Sequence, residues 1–110
     1  MFSAELKKGS VELLVLSLLR HEPRHGYEIG KLVEQRSGGR LRFQVSSLCP
    51  VLARLEEQGW IRGQWVEKPG DRRRRYYRLT REGTRALAEQ QETWRAYMTA
   101  VNLIAGIDHA

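Results

Sequence analysis

Trp60-Ile61-Arg62-Gly63-Gln64-Trp65-Val66, then Lys68-Pro69-Gly70-Asp71, then Arg73-Arg74-Arg75-Tyr76-Tyr77-Arg78-Leu79: this stretch decides the architecture. Its first run is aromatic and β-branched enough for a strand. The Pro-Gly-Asp group after it is a turn signal. The last run alternates, with Tyr77 and Leu79 on one face and Arg74, Tyr76 and Arg78 on the other. A β-hairpin with a basic tip is expected. The charge of the chain sits here too. Its net charge is +6, and residues 62–81 hold eight basic and two acidic residues, which is the whole excess. The other 11 basic and 11 acidic residues cancel. An excess confined to one segment points to a polyanion met at that segment.

Upstream, the period changes to that of helices. Ser46 or Ser47 is the expected cap of a third helix, with Pro50 in its first turn. Leu48, Leu52 and Leu55 line its inner face, Val51 lies beside them, and Gly59 ends it. Arg54, Glu56, Glu57 and Gln58 are expected outside. Glu56 and Glu57 read as a solvated face, since neighbouring helix positions point apart. Residues 40–45 alternate Leu41, Phe43 and Val45, a short extended segment. A second helix is expected from about Gly26 to Arg36, with Tyr27, Ile29, Leu32 and Val33 as its apolar side and His25 capping or orienting it. The first helix is expected to start at Ser10. Val11, Leu14, Val15 and Leu18 form its core face, widened by Leu13, Leu16 and Leu19. It stops near Arg20, because Pro23 biases Glu22 away from helical angles.

Downstream, Thr80 caps a long helix over about residues 81–105. Leu87, Trp94 and Val101 are spaced by seven, as are Gln91, Met98 and Ala105, a seam against another helix. The order is three helices, a hairpin and a long helix. The expected fold class is mainly α with a two-stranded β wing: a winged helix–turn–helix over residues 1–80 and a C-terminal dimerisation helix over residues 81–110.

This order places one helix in the major groove of DNA and a wing on its backbone. Gln44, Ser46, Ser47 and Cys49 at the start of the third helix are the candidates for base or phosphate contact, with Arg54 reaching the backbone. Lys68, Arg72, Arg73, Arg74 and Tyr76 are the candidates on the wing, mainly for affinity. The dimer candidates are Leu87, Gln91, Trp94, Met98 and Val101. Trp94 is either interface packing or a wall for a planar aromatic effector. Trp60 and Trp65 read as hairpin core.

An enzyme is not expected: there is no Ser/His/Asp set, phosphate loop or metal cluster, and no cofactor or metal is called for. His21 and His109 have no metal-site spacing. The single cysteine excludes an internal disulfide. With no apolar run of membrane-span length and no signal-peptide pattern, a cytoplasmic protein without membrane contact is expected.

The residues resemble the PadR family of bacterial regulators over about residues 6–104. The resemblance rests on Gly9-Ser10 with Leu13-Leu14, on His25-Gly26-Tyr27-Glu28-Ile29, and on Ser47-Leu48-Cys49-Pro50-Val51-Leu52. It continues through Arg54-Leu55-Glu56-Glu57-Gln58-Gly59-Trp60-Ile61, Arg74-Arg75-Tyr76-Tyr77-Arg78-Leu79-Thr80 and Gly83. The short C-terminal part is similar to the small-subunit, acidobacterial PadR-like branch. The resemblance implies a homodimer built through the C-terminal helix with help from the first, and repression at a palindromic operator. In some members a ligand releases the DNA. One position departs from the family: Gly-Ser/Thr-Leu-Tyr-Pro is usual, and here Cys49 replaces the tyrosine, removing a phenol from the DNA-facing surface. Near a helix start a thiolate is stabilised, so Cys49 reads either as a redox switch or as a small replacement without a role of its own. The competing reading of the whole chain is a coiled-coil protein-interaction module without sequence-specific DNA binding.

Overall fold

A computed structural model describes residues 3–107; His109 lies outside them. Four helices and three strands follow in the order α1 (Ala4–Leu18), β1 (Arg24–His25), α2 (Gly26–Arg36), α3 (Val45–Glu57), β2 (Ile61–Val66), β3 (Arg74–Leu79) and α4 (Arg81–Ala105).

α1 starts before the expected cap. Ser3 Oγ accepts from the Leu6 N–H at 3.3 Å, while Ser10, inside the helix, donates back to the carbonyls of Leu6 and Lys7. The apolar period begins only at Val11 because the first turns run past the core; Leu6 is exposed. Val11, Val15, Leu16, Leu18 and Leu19 are buried, whereas Leu14 is half-exposed. The helix ends on an arginine. Arg24, only 8% exposed, donates from Nε to the Leu18 carbonyl at 2.7 Å, and its remaining nitrogens meet Glu22 at 3.1 Å and Glu28 at 3.2 Å. A buried guanidinium is tolerated because its charge is paired and an otherwise orphaned helix carbonyl is satisfied.

Arg24 and His25 also form a strand that the hairpin pattern does not announce. β1 pairs antiparallel with β3, Arg24 opposite Tyr77 and His25 opposite Tyr76, giving the sheet order β1-β3-β2. Two residues beside a proline are too few to show alternation. Conversely, residues 40–45 form no strand, having no partner to complete a ladder. Leu41 and Phe43 still turn toward the core as expected, but Val45 opens α3 and is exposed.

α3 has Gln44 as its N-cap, with no side-chain cap, so Ser46 and Ser47 fall inside the first turn. The Gln44 carbonyl accepts from the N–H of Ser47 and Leu48, doing what a serine cap was expected to do. Pro50 is consequently the sixth helical residue. Its missing N–H would have faced the carbonyl of Ser46, an exposed residue that solvent hydrates. At the other end, Trp60 N–H donates to the Leu55 carbonyl and Gly59 N–H to the Glu56 carbonyl, with Gly59 at φ 79°. This is the Schellman pattern, and the left-handed angle requires the glycine.

The core gathers one stripe from each helix: α1, Ile29 and Val33 of α2, Leu48, Val51, Leu52 and Leu55 of α3, then Ile61 and Leu87. α4 is fixed to it by Leu87, by Gln90 donating to Glu12 of α1 at 3.4 Å, and by a crossing at its start. Thr80 donates its N–H to the Trp60 carbonyl at 3.1 Å and its hydroxyl to the Gly59 carbonyl at 2.6 Å, while Oγ1 accepts from Gly83 N–H at 3.0 Å. A Cβ on Gly83 would overlap the Trp60 carbonyl oxygen, so only glycine permits the crossing.

Candidate nucleic-acid interface

α3 buries Leu48, Val51, Leu52 and Leu55 and turns Gln44, Ser46, Ser47 and Cys49 to solvent. Its early start moves Cys49 to the second turn, past the helix's free N–H groups. Arg54 is engaged within the chain: Nε and Nη2 both lie 3.0 Å from Glu12 Oε2, tying α3 to α1. It remains half-exposed but is not free to reach outward unopposed. Beside α3 runs a groove of about 810 Å³, where Lys7, Lys8 and Arg42 stand near Gln44, Ser47 and Arg54. Glu34 lines it too and pairs with Arg42 at 3.2 Å, which leaves Lys7 and Lys8 as its cations without a carboxylate partner among the described residues. Sequence reading missed the groove because its members are far apart in the chain.

The wing forms as expected. Asp71 N–H donates to the Lys68 carbonyl at 3.0 Å across a turn with Gly70 at φ 77°. Lys68, Arg72 and Arg73 are exposed at the tip and Arg74 is half-buried. The guanidinium of Arg74 lies 5.7 Å over the Tyr27 ring, and Lys68 Nζ donates to Tyr76 Oη at 3.2 Å. His25 touches both tyrosines, edge-on to Tyr76 at 5.1 Å and stacked on Tyr27 at 6.4 Å. Tyr27 is thus no core residue; at 57% exposure it belongs to a cation–aromatic strip joining the start of α2 to the wing. His25 caps α2, its Nδ1 accepting from Glu28 N–H at 3.2 Å. Burial, then the positive charge of Arg74, hold its pKa below the usual histidine value.

Two readings of the hairpin change. Trp65 is 51% exposed rather than core, with the guanidinium groups of Arg73 and Arg75 over its ring at 4.7 and 5.8 Å. Glu56 is not a solvated carboxylate: its Oε2 accepts from Gly63 N–H at 2.9 Å and Arg75 Nη2 at 2.7 Å. Helix periodicity cannot show this, since both partners come from the hairpin. Tyr77, packed beside them, has its phenol pKa raised by burial.

On α4, Leu87 is 3% exposed and belongs to the protomer's own core, so it has little surface to offer a partner. Gln91, Trp94 and Val101 are half-buried and Met98 is exposed. Tyr97 and Ile104, not singled out from the sequence, are exposed on the same side of the helix, Ile104 at 89%. Their spacing of seven was the available signal. Trp94 and Tyr97 meet edge to face at 6.3 Å.

The family model described as the transcriptional regulator PadR-like family matches residues 15–89. The chain belongs to the PadR-like family of transcriptional regulators. A transcriptional regulator from Clostridium thermocellum has a similar structure, with a TM-score of 0.84 at 30% identity, covering 93% of this chain and 96% of that one. A PadR family transcriptional regulator from Eggerthella lenta gives a TM-score of 0.82 at 33% identity, over 94% and 88% of the two chains. An uncharacterized protein of Lysinibacillus sphaericus is 25% identical over 103 residues, 94% of each chain. PadR-like proteins are regulators and not enzymes. The mainly helical fold with a small antiparallel sheet matches PadR winged-helix structures. Among the described residues, no helix is long and apolar enough to cross a membrane, and no three His, Cys, Asp or Glu residues gather as a metal site.

Proposed function

We propose that this PadR-like regulator is a cytoplasmic homodimeric repressor that binds a palindromic operator. In this reading residues 1–80 form the DNA-binding unit and residues 81–110 the dimerisation helix. One observation carries it: α3 holds an apolar stripe in the core and presents Gln44, Ser46, Ser47 and Cys49 to solvent on its N-terminal half. Short polar side chains on an exposed helix start suit the major groove. Lys68, Arg72, Arg73, Arg74 and Tyr76 then hold phosphates from the wing, which sets register and affinity.

The homodimer follows from the far half of α4. Trp94, Tyr97, Met98, Val101 and Ile104 recur at helical spacing and leave an apolar stripe that the protomer does not cover. A second copy of the same helix covers it symmetrically, which a palindromic site mirrors. A mobility shift with the chain's own upstream DNA, with specific and non-specific competitors, tests the proposal. Retarded DNA that only the specific competitor releases is expected. Equal release by both competitors would leave the coiled-coil interaction module as the better reading.

The edge-to-face pair of Trp94 and Tyr97 favours a second element, release of DNA by a planar aromatic effector held between the two copies of α4. Quenching of tryptophan fluorescence by such a compound, together with loss of the shifted band, is the expected result.

A further inference from the structure

The excess charge of the hairpin region divides between the two faces of its sheet. Its two acids are near the tip, Glu67 at 3.9 Å from Arg73 and Asp71 at 4.0 Å from Arg74. Arg75 is committed to Glu56 on the inner face. Arg62 and Arg78 stand on the outward face, directly opposite each other across β2 and β3, and both are exposed. Directly opposed residues of an antiparallel pair have Cβ atoms roughly 5 Å apart, and like charges there are destabilising. The next pair along this face is Gln64 and Tyr76, with Lys68 hydrogen-bonded to the phenol.

These side chains surround a hollow of about 290 Å³, walled by Pro23 and Val66, and no carboxylate lines it. Two guanidinium forks, an ammonium, an amide and a phenol are all hydrogen-bond donors. Such a set matches an oxyanion, and the arginines match the planar, two-pronged geometry of phosphate recognition. The bound anion would relieve the repulsion that the empty ladder carries.

We propose that the outward face of the wing sheet is a phosphate-binding site formed by Arg62, Arg78 and Lys68, with Gln64 and Tyr76 completing it. The chemistry is that of a phosphate oxyanion, supplied by a DNA backbone flanking the operator or by a free phosphorylated small molecule. The site shares Lys68 and Tyr76 with the wing's proposed DNA contacts but lies apart from the start of α3, and one arm of its test uses no DNA.

In that arm, NMR spectra of the full chain are followed while inorganic phosphate replaces chloride at constant ionic strength. Saturable shifts of the Arg62 and Arg78 side-chain N–H signals and of Gln64 and Tyr76 are expected in the parent, and none in Arg62→Gln/Arg78→Gln. In the other arm, the salt dependence of operator binding is compared for the same proteins. A slope reduced by about 0.9 for each phosphate no longer neutralised identifies DNA as the source. An unchanged slope with abolished phosphate shifts identifies a free phosphate compound. If the double variant alters neither the phosphate titration nor the slope, the site does not exist. The variant removes a repulsion, so its melting temperature is expected to hold or rise. A marked fall would make the arginines structural and also overturn the proposal. A chain that failed to bind DNA at all would refute the operator reading while leaving the phosphate titration to decide this one.

Discussion

The guanidinium of Arg75 lies flat across Gly63 to reach Glu56, whose Oε2 it meets at 2.7 Å; a Cβ on Gly63 would collide with Arg75 Nε. The same carboxylate oxygen holds the Gly63 amide at 2.9 Å, so α3 and the wing share one anchor. Charge-assisted hydrogen bonds are worth about 1.5–3 kcal/mol. Partial exposure of both partners moves the expectation to the low end. Glu56→Ala and Gly63→Ala are expected to lower stability by about 1–2 kcal/mol in urea unfolding. Both should also weaken operator binding beyond that loss, because the wing is no longer held against α3. Full operator affinity in a folded Glu56→Ala protein would show that the anchor does not set the angle between them.

The arginines of the wing should separate into two kinds. Arg73→Ala and Arg74→Ala are expected to reduce DNA affinity across all sequences and to flatten the salt slope by about 0.9 for each phosphate they cease to neutralise. Arg75→Ala is expected to leave the slope intact while lowering the unfolding midpoint. Equal slopes for all three variants would remove the distinction between gripping and anchoring residues.

Two glycines give opposite predictions from the same substitution. Gly83→Ala places a methyl carbon against the Trp60 carbonyl at the start of α4. It should cost more than about 2 kcal/mol, at the upper end of single-residue effects. Gly9 lies inside α1 with nothing near its added Cβ, so Gly9→Ala is expected to stabilise by about 0.5–1 kcal/mol. Unfolding midpoints measured side by side decide both.

Acidification should weaken the fold through His25. Its folded pKa is lowered, by burial first and then by Arg74. The unfolded chain therefore binds the proton more readily, and stability rises with pH across the window. The contribution is fully present above the unfolded value of 6.5 and is lost as pH falls through the lower folded value. Protonation also removes the Nδ1 lone pair that caps α2. His25→Asn keeps a capping acceptor and should flatten the decline as pH falls below 6.5. An unchanged profile would place the dependence elsewhere.

The far half of α4 should govern oligomeric state. Ile104→Glu and Tyr97→Glu put charge into the exposed apolar stripe. A shift to monomer is expected in sedimentation, with tip and α3 residues unaltered. A parent chain that sediments as a monomer at micromolar concentration would refute the dimer directly.

How much of this was legible follows from the range of each signal. α2 and α4 are bounded as their sequence predicts, since caps and periodicity are local. Thr80 and His25 act as caps for the same reason. The hairpin is also local. The starts of α1 and α3 were displaced because serine is read as a cap wherever it precedes an apolar run, whereas Ser10, Ser46 and Ser47 lie inside helices. β1 has only two residues, and its existence depends on β3 being alongside. Glu56, Trp65 and Tyr27 were misread because their surroundings are set by segments far along the chain. Gln44, Ser46, Ser47 and Cys49 on α3 and Lys68, Arg72 and Arg73 at the wing tip are exposed, as a binding surface requires, but Arg74 and Tyr76 are half-buried, Arg54 is held by Glu12 and Leu87 by the core.

The crossing of Thr80 and Gly83 over Trp60 has a mechanical result. The end of α3, both wing strands and the start of α4 converge there. α4 has 25 residues, so at 1.5 Å per residue its far end lies about 37 Å from that joint. Leu87 in the core and Gln90 on Glu12 pack its first turns against α1, so only the last 15 residues, about 22 Å, project beyond them, and a tilt of about 5° moves their end by about 2 Å. The far half of α4 is therefore a lever whose fulcrum is the contact with α1. In the proposed dimer, a small change in how two such levers cross would reset the separation of the surfaces proposed to meet successive turns of a double helix.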